Sequence, residues 1–132
     1  MVIIGSGNVV HNLRSVDWGQ PDSGFDWSHR FDDAARAHLT SSPNDIVALR
    51  HHQDFGAAVP TPDHFIPLLY IAGLADAAGS SAEVLVDGYT YGSLSMTSYT
   101  IGDANWPASS HSLAHAAELP DPDLTPPDDT NA

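Results

Sequence analysis

Residues 1–13 read MVIIGSGNVVHNL. A short β-branched run, Val2–Ile4, meets Gly5-Ser6-Gly7-Asn8, and a histidine follows at position 11. The run predicts a buried strand. The glycines predict a tight turn and a close approach of backbone to some other part of the chain. Two chemistries compete for such a loop. Gly-x-Gly after a strand can cradle a phosphate, whereas a histidine just past a strand end can serve a metal or a proton transfer. Open α/β sheets place their ligands at that end. The phosphate reading is the weaker. Val10 stands where the third glycine of G-x-G-x-x-G belongs, no strand ending in an acid follows about twenty residues on, and no Gly-Lys-Ser/Thr occurs.

Outward from this stretch, 132 residues predict one domain. There is no cysteine, which excludes disulfides, thiolate metal sites and cysteine nucleophiles. A metal site must therefore use His, Asp or Glu, which suits iron, zinc or manganese. Four arginines, no lysine and 17 acids give a net charge of -13. That charge repels nucleic acid and anionic membrane surfaces. No run approaches the roughly 18 apolar residues of a membrane span, and no signal peptide is visible, so a cytoplasmic protein is expected.

Phe25–Leu39 predicts a helix with Trp27, Phe31, Ala34, Ala35, His38 and Leu39 on one face, Asp26 as N-cap and Asp32–Arg36 as an i,i+4 pair. A short helix is expected over Asp45–His51. The next helix either starts at Thr61-Pro62 and kinks at Pro67 or starts near His64; both place His64 at its N-terminal lip. Glu83–Asp87 and Ser93–Ile101 predict strands that pair as a hairpin or insert separately into a sheet. In the second, Ser93, Ser95, Thr97, Tyr99 and Ile101 share one face. Residues 103–132 carry five of the ten prolines and six of the 17 acids, the composition of a disordered acidic tail. The expected division is 1–102 as the catalytic-domain portion and 103–132 as the tail. His111 and His115, spaced i,i+4 within that tail, read as bland, and His29, His38, His51 and His52 read as structural.

Three segments in this order and spacing, SGNVVHNLR, PTPDHFIPLLY and DGYTYGSLSM, resemble the C-terminal half of class III extradiol ring-cleaving dioxygenases of the DOPA 4,5-dioxygenase type. The resemblance covers about residues 2–102. It implies a mixed-sheet α/β fold, of which this chain is the C-terminal portion of one catalytic domain. It implies a non-haem metal, iron(II) with zinc possible at the same site, and a catechol such as DOPA opened by O2. His11 corresponds to the family's acid–base residue and His64 to a metal ligand. The other two ligands come from Gly-His-Gly-Ser and Ala-His-Trp stretches that this sequence lacks. Val59 stands where many relatives carry histidine, which alters a substrate contact. The site is thus expected to be incomplete, with an N-terminal half supplied by another chain, and Met1 to stand where the family's strand is already under way. A truncated non-catalytic remnant or metal-binding interaction module is the alternative.

Overall fold

The computed structural model describes residues 2–102. The expected tail and the His111–His115 pair lie outside the described residues. The elements are α1 (Asp26–Ser41), a 3-10 segment (Pro43–His51), α2 (Phe55–Ala58), α3 (Ile66–Ala77) and four short strands. These are β1 (Ala82–Val86), β2 (Tyr89–Thr90), β3 (Leu94–Ser95) and β4 (Ser98–Ile101). Helices with small antiparallel ladders make a mixed α/β fold, the class that the motif resemblance implies. β1 pairs with β4, Val84 opposite Tyr99, with a bulge before Val86. Inside that ribbon β2 pairs with β3. The two predicted strands therefore form one long irregular hairpin, with single bridges tying His11 to Leu94 antiparallel and Gly24 to Gly92 parallel.

The core lies between α1, the 3-10 segment and α3. Phe31, Ala35 and Leu39 of α1 are wholly buried, and Trp27 and Ala34 pack partly against them, as the periodicity predicts. Phe31, Phe55 and Phe65 meet edge-on or tilted, with ring centroids 5.9 to 6.1 Å apart. Such pairs are worth about 0.5–1.5 kcal/mol each beyond their burial.

Two local expectations are corrected, and of the two starts open for α3 the one near His64 is taken. The N-cap of α1 is Phe25, not Asp26, and no side chain caps it. The Phe25 N–H instead donates to Gly92 O at 2.7 Å, so the hairpin tip fixes where α1 begins. Gly92 has φ +78°, and an added Cβ there would lie 2.5 Å from the Phe25 ring, so only glycine fits. Next, α3 starts at Ile66 with Pro67 in its first turn, where the missing N–H has no intrahelical acceptor to lose, so no kink is needed. Last, Val2–Ile4 forms no strand and is exposed, Val2 at 80% and Ile4 at 85%. A strand needs a hydrogen-bonded neighbour, and no described strand pairs with it.

Of the two faces that alternation gives Ser93–Ile101, the inner one carries Ser93, Ser95 and Thr97, all buried and polar. Ser95 and Thr97 face Asp32, wholly buried on α1. The Asp32 carboxyl accepts from Ser95 Oγ at 2.7 Å, Thr97 Oγ1 at 2.8 Å and Tyr89 Oη at 3.0 Å. The anticipated Arg36 partner sits farther off, at 3.8 Å, and makes its close contact with Asp87 at 2.7 Å. Burial first, then Asp32, pushes the Tyr89 phenol well above its ordinary range.

Candidate functional site

Residues 8–12 run between two supports. On one side Ser95 N–H donates to Val10 O, Asn12 N–H to Ser93 O and Ser93 Oγ to Asn12 O, all within 3.1 Å. On the other, His11 N–H donates to Ala58 O at 2.9 Å and Asn8 N–H to His64 O at 3.0 Å. The side chains of Asn8 and Asn12 act as braces: Asn8 Nδ2 donates to Ser95 O and Asn12 Nδ2 to Ala57 O, both at 2.8 Å. Neither asparagine was singled out from the sequence. The signal was their placement on either side of a histidine, since amide side chains can satisfy backbone groups in a segment too short for a ladder of its own.

His64 precedes α3, and its neighbour Phe65 is buried in the aromatic cluster. That anchor sets the histidine at the lip of the helix. Gly7 lies against it. A Cβ at Gly7 would sit 2.3 Å from His64 O and 3.1 Å from Pro67 Cγ. The close approach anticipated for the opening glycines is therefore to the His64 turn.

These two supports bring the His11 and His64 rings face to face, with centroids 3.6 Å apart and planes 15° from parallel. His11 is half-buried, and the His64 side chain is 40% exposed. Asp63 Oδ2 lies 3.4 Å from His64 Nε2. Hydrogen bonds from Thr61 and from its own backbone, with smaller help from His64 and His11, hold the Asp63 carboxyl below its usual range. The His11 imidazole is pushed below 6.5, first by burial and then by His64, with Asp63 opposing. Asp63 is a further site residue that spacing did not reveal; it acts only because the turn before α3 folds it onto the ring.

In-plane lone pairs of stacked rings run side by side rather than converging on one ion. Among the described residues no group of three His, Cys, Asp or Glu side chains could hold a metal ion. His64 has the chemistry of one metal ligand, but the donor set around it is not a complete iron or zinc site. His29, His51 and His52 stand apart from this pair. His29 stacks on Tyr89, His51 Nε2 accepts from Arg50 Nε, and His52 Nδ1 accepts from the Asp54 N–H. Val59 is buried in the core.

Beside His64 opens a cleft of about 780 Å³ between residues 2–9, α3 and the β1–β4 ribbon. His64 lines it and His11 does not. No described helix is long and apolar enough to cross a membrane.

Two outcomes test this geometry. Gly7→Ala is expected to force apart Gly7 and the His64 turn, because the clash is with backbone that cannot rotate away. The Asn8–His64 hydrogen bond would go, about 1 kcal/mol, and the stack would open. The check is loss of mutual ring-current shifts on the two imidazoles by NMR. Gly5→Ala, whose Cβ would lie 3.4 Å from Pro67 and Ile71, should leave them unchanged. The second outcome concerns pH. A folded pKa below the unfolded value means that the unfolded chain binds the proton more readily. The His11 contribution to stability is therefore full above pH 6.5 and is lost as pH falls through the lowered folded value. Urea midpoints should decline on acidification through this window, less steeply in His11→Gln, and Asp63→Asn should lower the His11 midpoint further by NMR.

No family model matches the chain. A protein named 4,5-DOPA dioxygenase extradiol from Escherichia coli K12 is 37% identical over 106 residues, covering 77% of this chain and 39% of that protein. The crystal structure of an uncharacterized protein from Escherichia coli K12 superposes with a TM-score of 0.65 at 39% identity, covering 74% of this chain and 41% of that one. The chain thus spans about two-fifths of the length of each.

Proposed function

We propose that this chain belongs to the extradiol ring-cleaving dioxygenases of the DOPA 4,5-dioxygenase type and forms the C-terminal portion of their catalytic domain. The observation that carries the reading is the meeting of His11 and His64, ring on ring, from two distant segments. The relative's name and its 37% identity point the same way. The reaction inserts both atoms of O2 into a catechol, breaks the ring bond beside the diol and yields a muconic semialdehyde. It needs one group that takes a hydroxyl proton early and returns it later near neutral pH. An imidazole does this, and the lowered proton affinity of His11 keeps it ready as the base.

His64 is assigned as one ligand of the family's iron(II), with zinc able to take the same place. His64 alone does not hold such an ion, so the other ligands must come from polypeptide outside the described residues. The substrates are a small catechol and O2.

The test is to co-express the chain with the part of the Escherichia coli relative that it does not match, add iron(II), and follow DOPA and simpler catechols for a yellow ring-opened product. Product formation by the pair supports the reading; none from a folded pair sinks it. If the chain is instead a metal-binding module without catalysis, calorimetry will show zinc or iron(II) binding that survives His11→Ala but not His64→Ala, with no product.

A further inference from the structure

We propose that Met96 is a site of oxidation by peroxide, and that its sulfoxide is bound by the side-chain amide of Asn8, in the segment that carries His11. The inference needs nothing from the ring-opening reading and is tested on the chain by itself.

With no cysteine in the chain, the sulfur that a peroxide can oxidise is confined to Met1 and Met96. Met1 lies outside the described residues. Met96 sits between β3 and β4. Its neighbours Ser95 and Thr97 turn inward to Asp32, so alternation turns Met96 the other way, and it is 48% exposed. Its backbone is held whatever the side chain does, because the Met96 N–H donates to Gly88 O at 2.9 Å.

Asn8 Nδ2 donates toward Met96 Sδ at 4.0 Å and to Ser95 O at 2.8 Å. An amide nitrogen carries two hydrogens, so each acceptor has its own. The bond to sulfur is the weak one, since a thioether is a poor acceptor. Oxidation changes that acceptor. Sulfur gives two electrons to one oxygen of hydrogen peroxide, an S–O bond forms as the O–O bond breaks, and the other oxygen leaves as water with both hydrogens. The new oxygen is a strong acceptor standing out from sulfur. The 4.0 Å between nitrogen and sulfur leaves room for it to meet the N–H. The sulfoxide is chiral, and the epimer whose oxygen faces Nδ2 makes the bond.

Asn8 joins three parts of the site. Its backbone N–H donates to His64 O, its side chain donates to Ser95 O, and it lines the cleft beside His64. Placing both amide hydrogens on oxygen stiffens that rim without breaking either existing bond. The oxidised protein therefore keeps the His11–His64 stack while Asn8 is restrained.

The experiment treats the full chain with hydrogen peroxide in the presence of a metal chelator, and reads peptide masses and NMR signals. The expected result is one added oxygen on Met96, gained at a rate within about tenfold of that of N-acetylmethionine. The Asn8 side-chain amide signal should be displaced and its protons should exchange more slowly, while the mutual ring-current shifts of His11 and His64 persist. Methionine sulfoxide reductases for the two epimers should together restore the original signal. Met96→Leu, a swap of similar volume, should leave the Asn8 signal indifferent to peroxide. Four results would overturn the proposal: oxidation of Met96 slower than the reference by more than about tenfold, oxidised Met96 with the Asn8 amide unmoved, opening of the stack on oxidation, or an Asn8 displacement that survives in Met96→Leu.

Discussion

Asp32→Ala is expected to lower folding stability by about 3–5 kcal/mol, a large share of the roughly 5–15 kcal/mol that holds a domain folded. Asp32 is wholly buried and accepts three side-chain hydrogen bonds, from Ser95, Thr97 and Tyr89. Alanine removes the acceptor and leaves three donors with nothing to donate to. Each stranded buried donor costs about 1–3 kcal/mol. The hydroxyls belong to β2, β3 and the residues just after β3, while Asp32 belongs to α1. The loss therefore separates helix from hairpin rather than loosening one side chain. Asp32→Asn keeps one acceptor oxygen and should cost less, about 1–2 kcal/mol. Urea midpoints measure both, and a cycle with Ser95→Ala isolates the pair. An Asp32→Ala loss below 1 kcal/mol would mean that the hydroxyls find other partners. Because Ser93 and Ser95 clamp residues 10–12, Asp32→Ala should also disturb the His11–His64 stack.

That hub shows where sequence reading stops. The faces of Ser93–Ile101 follow from strict alternation, and the structure keeps them. The inward face is polar, however, and alternation cannot say what a row of hydroxyls meets. Asp32 follows Phe31 and sits one turn before Arg36, so helical spacing offers a surface ion pair as its ordinary partner. Its burial comes from the hairpin folding over α1, a contact between segments far apart in the chain. Periodicity does locate α1 itself, because Phe31, Ala35 and Leu39 supply a stripe that only a helix can bury. Val2–Ile4 shows the opposite failure: composition favours a strand, but a strand is a property of a pair, and no described neighbour exists. The meeting of His11 and His64 could not be read from spacing either. The motif resemblance paired them as site residues, and folding of the turn before α3 against Gly7 explains how they touch.

On the proposed dioxygenase reading, His11→Gln in the chain co-expressed with the relative's unmatched part is expected to lower catechol turnover by about 10²–10⁴-fold, the range for loss of a positioned acid–base group. Glutamine keeps polar atoms near the imidazole's place but does not take up and release a proton near neutral pH. The backbone that positions residue 11 does not depend on its side chain: its N–H donates to Ala58 O and its flanks are held by Ser93, Ser95, Asn8 and Asn12. The fold and the metal content should therefore persist, and the KM for the catechol should change far less than kcat. His64→Gln should fail differently, losing metal content along with turnover. The split follows from the stack itself. One ring lines the cleft and is the proposed metal ligand, and the other, half-buried beside it, is set below the usual histidine range by burial and by that neighbour. If His11→Gln turns over at the wild-type rate with metal retained, His11 is not the proton carrier and the stack only packs the lip of α3.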